Sequence, residues 1–475
     1  MRIGSAPRKT PRKTALRLAC VTLAAGLGTL VPSAPAVAQP DDGGSIADPP
    51  EVNLSLSPAA NDSAPQQGVV KGDKACVSNL GGGVVPRERP WGQSRLDIDK
   101  LHRLGYRGTN MTVAVIDTGV MKHQWLKVNG AADLVDRSKN GLDDCDGHGT
   151  EVAGIIAADT PADIGFKGVA PGARILSIRQ SSEFYTVPDS RGEKVPAGDI
   201  GTLARAIRIA ADRPEVSVIN ISIDNCRPAA APMSGAEATL QRTLHYAVIQ
   251  QNKVVVSSAG NQDQVYCSDP RNGSDPDRPV SIVTPPWFSD YVLSVAAVDD
   301  KGNLADFSVN GPWVSLAAPG TNITSLDPSS PGLANLTVNG ANAAPSPIQG
   351  TSFAAPYVAG VATLVREKFP NLTATQVMER LKYTAQHPAT PSGRDNLVGY
   401  GMVNPIAALT AMVPSEFGIQ PDEAISLPPD APPVAPKNWT PMLVALIGSG
   451  SGLALLGITL FTMHTIRRNR PQRTS

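Results

Sequence analysis

The chain of 475 residues has no excess charge of either sign: Lys and Arg number 42, and so do Asp and Glu. That balance removes the electrostatic case for a nucleic-acid partner. Charged residues reach only 18%, while Gly and Pro stand at 43 each, a composition of loops and turns rather than of a helical bundle. No internal repeat is visible. Of the six histidines, His102, His123, His245 and His387 lack the partner spacing of a zinc site, so no metal and no cofactor is expected. Asp143, Asp144 and Asp146 are acidic enough for calcium but lack a defined ligand spacing, and are expected to form a solvated loop. Asn-x-Ser/Thr triplets such as Asn322-Ile323-Thr324 occur at chance level. Cysteine is scarce, with five in all.

Long apolar runs are confined to the two ends. The N-terminus has a basic start, an apolar stretch from about Leu18 to Val31 and the small-x-small triplet Ala36-Val37-Ala38, the pattern of a secretory signal cleaved after residue 38. Cys20 follows Arg17 too closely, and precedes too much of the apolar run, for a lipoprotein site. From Met442 to Ile466 there is no Asp, Glu, Lys or Arg. At about 1.5 Å per residue this stretch crosses a hydrocarbon core of about 30 Å. The following "RRNRPQR" places the C-terminus in the cytoplasm. The chain is thus expected to lie in the cell membrane as a single-pass protein, with the bulk of it extracytoplasmic. Once Cys20 leaves with the signal, Cys76, Cys145, Cys226 and Cys267 remain, an even number in an oxidising compartment; three pairings are open.

Six segments follow: signal peptide 1–38, extension 39–90, folded domain 91–413, Pro-rich linker 414–440, transmembrane helix 441–466 and basic tail 467–475. The extension is too polar to fold alone. Within the domain, "MTVAVID", "ARILSIR", "VSVINISI", "KVVVSSAGN" and "YVLSVAAV" read as buried strands, and "EVAGIIAA", "IGTLARAIRIAAD" and "GAEATLQRTLHYAVIQQ" as helices between them. Apolar strands alternating with helices define an α/β fold, a doubly wound, mainly parallel sheet covered on both faces.

Functional groups in such sheets gather beyond the carboxyl ends of the strands. Asp117 ends "MTVAVID", His148 lies between two glycines at the start of a helix, and Ser352 stands at the mouth of the apolar run "GTSFAAPYVAGVATLV". Singly they read as a turn residue, a loop histidine and a helix cap. Together they supply what acyl transfer needs: a hydroxyl, an imidazole to take its proton and a carboxylate to orient the imidazole. The glycines beside His148 allow a tight turn and substrate approach. The Ser352 amide at a helix N-terminus is a donor for an oxyanion, and Asn261, ending "VVVSSAGN", is a second. Ahead of Asn261, "VINISID" offers a backbone edge for an extended peptide.

"VAVIDTGV", "GHGTEVAGIIAA", "GVAPGARILSIR", "VINISI", "SSAGN" and "GTSFAAPYVAGVATL" resemble, in order, the motif blocks of the subtilisin-like serine proteases, over about residues 91–412. The order Asp, His, Ser is that of subtilisin. The resemblance implies a Ser-His-Asp acyl-enzyme endopeptidase with Asp117, His148 and Ser352 as triad and Asn261 with Ser352 as oxyanion hole. It implies substrate-binding positions at Ser222, Ile223, Asp224, Ser258, Ala259 and Gly260. Asp224 and Asn225 stand where subtilisins carry glycines, so the specificity does not transfer. Signal, protease domain, Pro-rich spacer and one terminal helix further resemble the mycosins, membrane-anchored subtilases of mycobacterial type VII secretion systems. That implies two partners, an exported polypeptide substrate and the secretion membrane complex, and leaves a mainly structural role in the complex as the alternative. As in mycosins, residues 39–85 are expected to wrap the domain rather than form a compact inhibitory propeptide, with Cys76 tied to Cys145. Cys226 and Cys267 each follow a parallel strand at one sheet edge and are paired. Residues 327–347 read as a long flexible loop before the nucleophile.

Overall fold

The computed structural model describes residues 47–73, 75–77, 87–189, 191–262, 267–268, 272–273, 275, 278–337, 344–419 and 440–468. The signal segment and most of the linker lie outside them. Seven parallel strands form the central sheet: β1 Thr112–Asp117, β2 Val128–Asp133, β3 Arg174–Arg179, β4 Val216–Ile221, β5 Val254–Ser258, β6 Leu293–Val298 and β7 Val314–Pro319, in the order β7-β6-β5-β4-β1-β3-β2. β2 and β7 are additions to the five strands read from the sequence; β2 ("VNGAAD") is only partly buried and carries no continuous apolar signal. All six residues of β1 are buried, as a strand covered on both faces must be.

The strand order reverses direction at β1, which has β4 on one side and β3 on the other. Because β1, β4 and β5 are parallel neighbours, Asp117, Ser222 and the Ala259–Asn261 turn emerge side by side at one edge. Helices α1 His148–Ala157, α2 Ile200–Ala211, α3 Gly235–His245 and α4 Thr351–Lys368 surround the sheet. α2 and α3 each open with a capping box, from Asp199 and Ser234. α4 is buried from Thr351 to Arg366 and packs on β4, β5, β6 and α1. Its small residues allow this depth: a Cβ on Gly360 would lie 2.5 Å from that of Val169.

Two short antiparallel pairs, Ser325–Leu326 with Leu333–Ala334 and Leu336–Thr337 with Ser346–Pro347, organise the segment expected to be a flexible loop. Its described part is therefore not structureless; residues 338–343 lie outside the description. The N-terminal stretch from residue 47 runs across the domain. Trp287 Nε1 donates to the Ala47 carbonyl at 3.1 Å, Arg242 Nε to Leu56 at 3.0 Å and Arg205 to Ala64 at 2.9 Å. Val70–Lys71 pairs antiparallel with Ser182–Pro188. Cys76 is bonded to Cys145 and Cys226 to Cys267. Cys226 follows β4 on the short strand Asn225–Pro228, which pairs with Ser281–Thr284. A separate helix, α5 Thr440–Arg468, is long and apolar enough to span a bilayer, and none of the described residues covers its apolar side chains.

Candidate active site

Asp117 is fully buried at the end of β1, and His148 opens α1. His148 Nδ1 lies 2.7 Å from Asp117 Oδ1. The same oxygen accepts the Thr118 amide at 2.8 Å, which fixes the carboxylate. Because Nδ1 faces the acid, Nε2 is left as the basic nitrogen. Burial works against the imidazolium, but the charge of Asp117 and the hydrogen bond to it outweigh burial and raise the His148 pKa above its ordinary value.

The approach of His148 to Asp117 depends on a loop whose acids are not solvated, contrary to expectation. Asp144 is buried: Oδ1 accepts Thr118 Oγ1 and the Gly147 amide, both at 2.8 Å, and Oδ2 accepts the Thr150 amide at 2.8 Å and its hydroxyl at 2.6 Å. It thereby satisfies free amides at the start of α1. Burial pushes its pKa up to about 6 despite these bonds. Asp143 pairs with buried Arg179 at 2.9 Å, and Asp146 accepts Ser182 Oγ at 2.6 Å and the Glu183 amide at 2.8 Å. Among the described residues no three His, Cys, Asp or Glu side chains are grouped to hold a metal. Gly149 has a packing reason beyond the one expected: a Cβ there would lie 2.0 Å from the Gly119 carbonyl.

Ser352 occupies the first turn of α4, preceded by Gly350 at φ +152°. A helical serine carbonyl normally accepts the amide four residues later, but that residue is Pro356, which has no N–H. The Ser352 carbonyl instead accepts Ser222 Oγ at 2.9 Å, and Ser222 Oγ accepts Asn220 Nδ2 at 2.9 Å. The turn that carries Ser352 is thus tied to the end of β4. Asn261 is latched to the same turn. Its Oδ1 accepts the Thr351 amide at 2.9 Å and hydroxyl at 3.1 Å, which turns Nδ2 away from Thr351. Phe353 lies 5.1 Å, ring to ring, from His148.

Of the candidate substrate-binding residues, Ser222, Ser258 and Ala259 are buried and offer a peptide backbone rather than side chains. Asp224 Oδ2 accepts Ser258 Oγ at 3.2 Å, joining the two walls. Gly260, at φ +105°, would bring a Cβ to 3.0 Å from Val283. Thr118, Asp144, Ser222 as a tie and Thr351 as a latch are roles that sequence reasoning missed. The Pro four residues after Ser352 was a readable signal for one of them.

A buried carboxylate against an imidazole, with a serine at a helix mouth and a side-chain amide latched to the same turn, makes up the candidate site, and the chain belongs to the subtilase family, whose Peptidase S8 family model matches residues 108–401. It is a serine endopeptidase of the subtilisin type. Its relatives include mycosin-1 of Mycobacterium tuberculosis, 37% identical over 92% of this chain and 97% of that protein. Mycosin-4 of the same organism is 42% identical over 79% and 82% of the two chains. Among solved structures, the MycP3 protease from the type VII (ESX-3) secretion system is 39% identical, with a TM-score of 0.69 over 77% of this chain and 100% of that one. A chain of an intact ESX-5 inner membrane complex is 36% identical, with a TM-score of 0.70 over 88% and 100%.

Proposed function

We propose that the protein is a membrane-anchored endopeptidase that cuts exported polypeptides outside the cytoplasmic membrane, in association with a type VII secretion complex. The observation that carries the catalytic part is the Asp117–His148 contact at 2.7 Å. Ser352 attacks the scissile carbonyl as His148 Nε2 takes its proton, and Asp117 holds the ring and stabilises the imidazolium. Asn261 Nδ2 and the Ser352 amide receive the developing oxyanion. His148 then passes the proton to the leaving amine, and water repeats the sequence on the acyl-enzyme. The backbones of Ser222–Asp224 and Ser258–Gly260 receive the peptide as an added strand.

The membrane part rests on α5 and its basic end, with the C-terminus cytoplasmic and the domain of residues 91–413 on the outer side. The secretion partner rests on the mycosin relatives and on the likeness to a chain of the ESX-5 complex. A fluorophosphonate probe tests the catalytic reading: the full chain labels and its Ser352→Ala variant does not. Absence of labelling in folded protein overturns it.

A second reading, a mainly structural part in the complex, is favoured by the N-terminal stretch laid over the domain and stapled through Cys76 to Cys145, an arrangement that none of the acyl-transfer steps requires. Secretion that survives Ser352→Ala but fails on deletion establishes that role. Secretion lost equally in both refutes it.

A further inference from the structure

A cavity of about 300 Å³ opens beside His148, walled by Asp146, Glu151, Glu183, Phe184, Gln349 and Phe353. Glu151 lies three residues beyond His148 on α1, so the two side chains share a face of the helix. Only 4% of Glu151 is exposed, and its Oε1 has no hydrogen-bond partner among the described residues. An unpaired buried carboxyl is costly unless something else meets it. Burial pushes its pKa up to about 8, and burial raises that of Asp146 as well. Arg179, the cation that acts on Asp146, is committed to Asp143 at 2.9 Å and Asp133 at 3.8 Å. Three carboxyls therefore face one space, and none of them forms an ion pair among the described residues.

We infer that this cavity takes a lysine or arginine side chain of the substrate, within two residues of the bond to be cut, with Glu151, Asp146 and Glu183 around the cationic head. The inference rests on the endopeptidase reading above. The other walls suit the rest of such a side chain: Phe184 and Phe353 give apolar surface to the methylene stem while the head reaches the acids. A bare metal ion suits the space less well, since the described residues include no group of three His, Cys, Asp or Glu able to hold one. His148 and Phe353, the residue after Ser352, both line the cavity, so it opens directly onto the candidate active site.

The test uses the full chain in detergent, in the Ser352→Ala background so that nothing is cut. Fluorescein-labelled alanine octapeptides carry one lysine, norleucine or glutamate at each of the six central positions in turn, and binding is read by anisotropy. At one position lysine is expected to bind about tenfold tighter than norleucine, the size of one charge-assisted hydrogen bond. Glutamate is expected to bind most weakly there. Adding Glu151→Gln reduces the lysine advantage to about twofold or less, and Glu183→Gln, at an exposed position that packing cannot upset, reduces it in part. Lysine no better than norleucine everywhere, or an advantage untouched by both variants, overturns the inference. Fluorophosphonate labelling of the parent chain separates the two readings. Its absence defeats the endopeptidase, while anisotropy still decides the subsite.

Discussion

Ser222→Ala tests whether the nucleophile is held by a side chain standing in for a missing amide. The substitution leaves the Ser352 carbonyl without the bond that Pro356 cannot supply, and leaves Asn220 Nδ2 without its acceptor. Each buried orphan costs about 1–3 kcal/mol. Pro356→Ala restores an amide four residues after Ser352, so it offers a helical donor to the same carbonyl. Alone, that change is expected to be close to neutral, because the carbonyl is already satisfied and the proline's restraint on the unfolded chain is worth only about 0.4–1 kcal/mol. In combination it repairs the carbonyl but not Asn220, so the cycle is expected to show a coupling of about 1–3 kcal/mol in the stabilising direction. For a domain of this size that is roughly 2–5 °C in Tm. The assay pairs thermal unfolding of the full chain in detergent with the rate of fluorophosphonate labelling. Ser222→Ala slows labelling and lowers Tm, and the double variant recovers part of both. Additive effects, with no recovery in the double variant, refute the account of Ser222 as the substitute for the Pro356 amide.

Other outcomes follow from the same geometry. Asn261→Ala is expected to reduce kcat by about 10²–10³, the usual size for loss of one oxyanion donor, in a peptide-cleavage assay that leaves KM little changed. Labelling requires neutral His148, whose pKa lies above 6.5; the rate therefore rises with pH through that raised value, and Asp117→Asn moves the midpoint down while lowering the plateau by about 10⁴. Glu151 binds its proton more tightly folded than unfolded, so it withdraws stability as pH climbs from its unfolded pKa, near 4.5, to about 8. Glu151→Gln should raise Tm at pH 8 and leave it nearly unchanged at pH 4, which melting curves across pH will check. Replacing Cys76 and Cys145 together by serine opens a crosslink between positions 69 apart, worth about 4 kcal/mol by loop entropy, and is expected to lower Tm by about 6 °C.

The candidate catalytic residues could be picked out of the sequence because each carries a local signature. Asp117 closes a six-residue, mostly apolar strand, His148 is bracketed by glycines and Ser352 stands at the mouth of a long small-residue helix. The five strands were legible because a parallel sheet buried on both faces must be apolar throughout, which is the reason half-exposed β2 escaped notice. What escaped depends on partners distant in sequence. Asp144 looks like any loop acid until Thr118, 26 residues away, is seen to donate to it. Glu151 sits in a helix that is apolar from Val152 onward, and the sequence does not tell that its carboxyl lacks a partner. The segment after Asp327 seemed loose because its paired strands are only two residues long, too short for a period-2 pattern.

The bond between Cys76 and Cys145 closes a covalent ring that has the catalytic histidine just outside it, three residues past one knot. A single cut anywhere in the ring opens it into a branched chain but detaches nothing. Residues before Cys76 then remain fastened to the domain through sulfur, beside the cleft. After such a cut inside the ring, they are freed only by reduction of the disulfide or by a further cut on the N-terminal side of Cys76. Nicking between Cys76 and Cys145, including self-cleavage, changes the connectivity of the polypeptide without changing what is attached to the site.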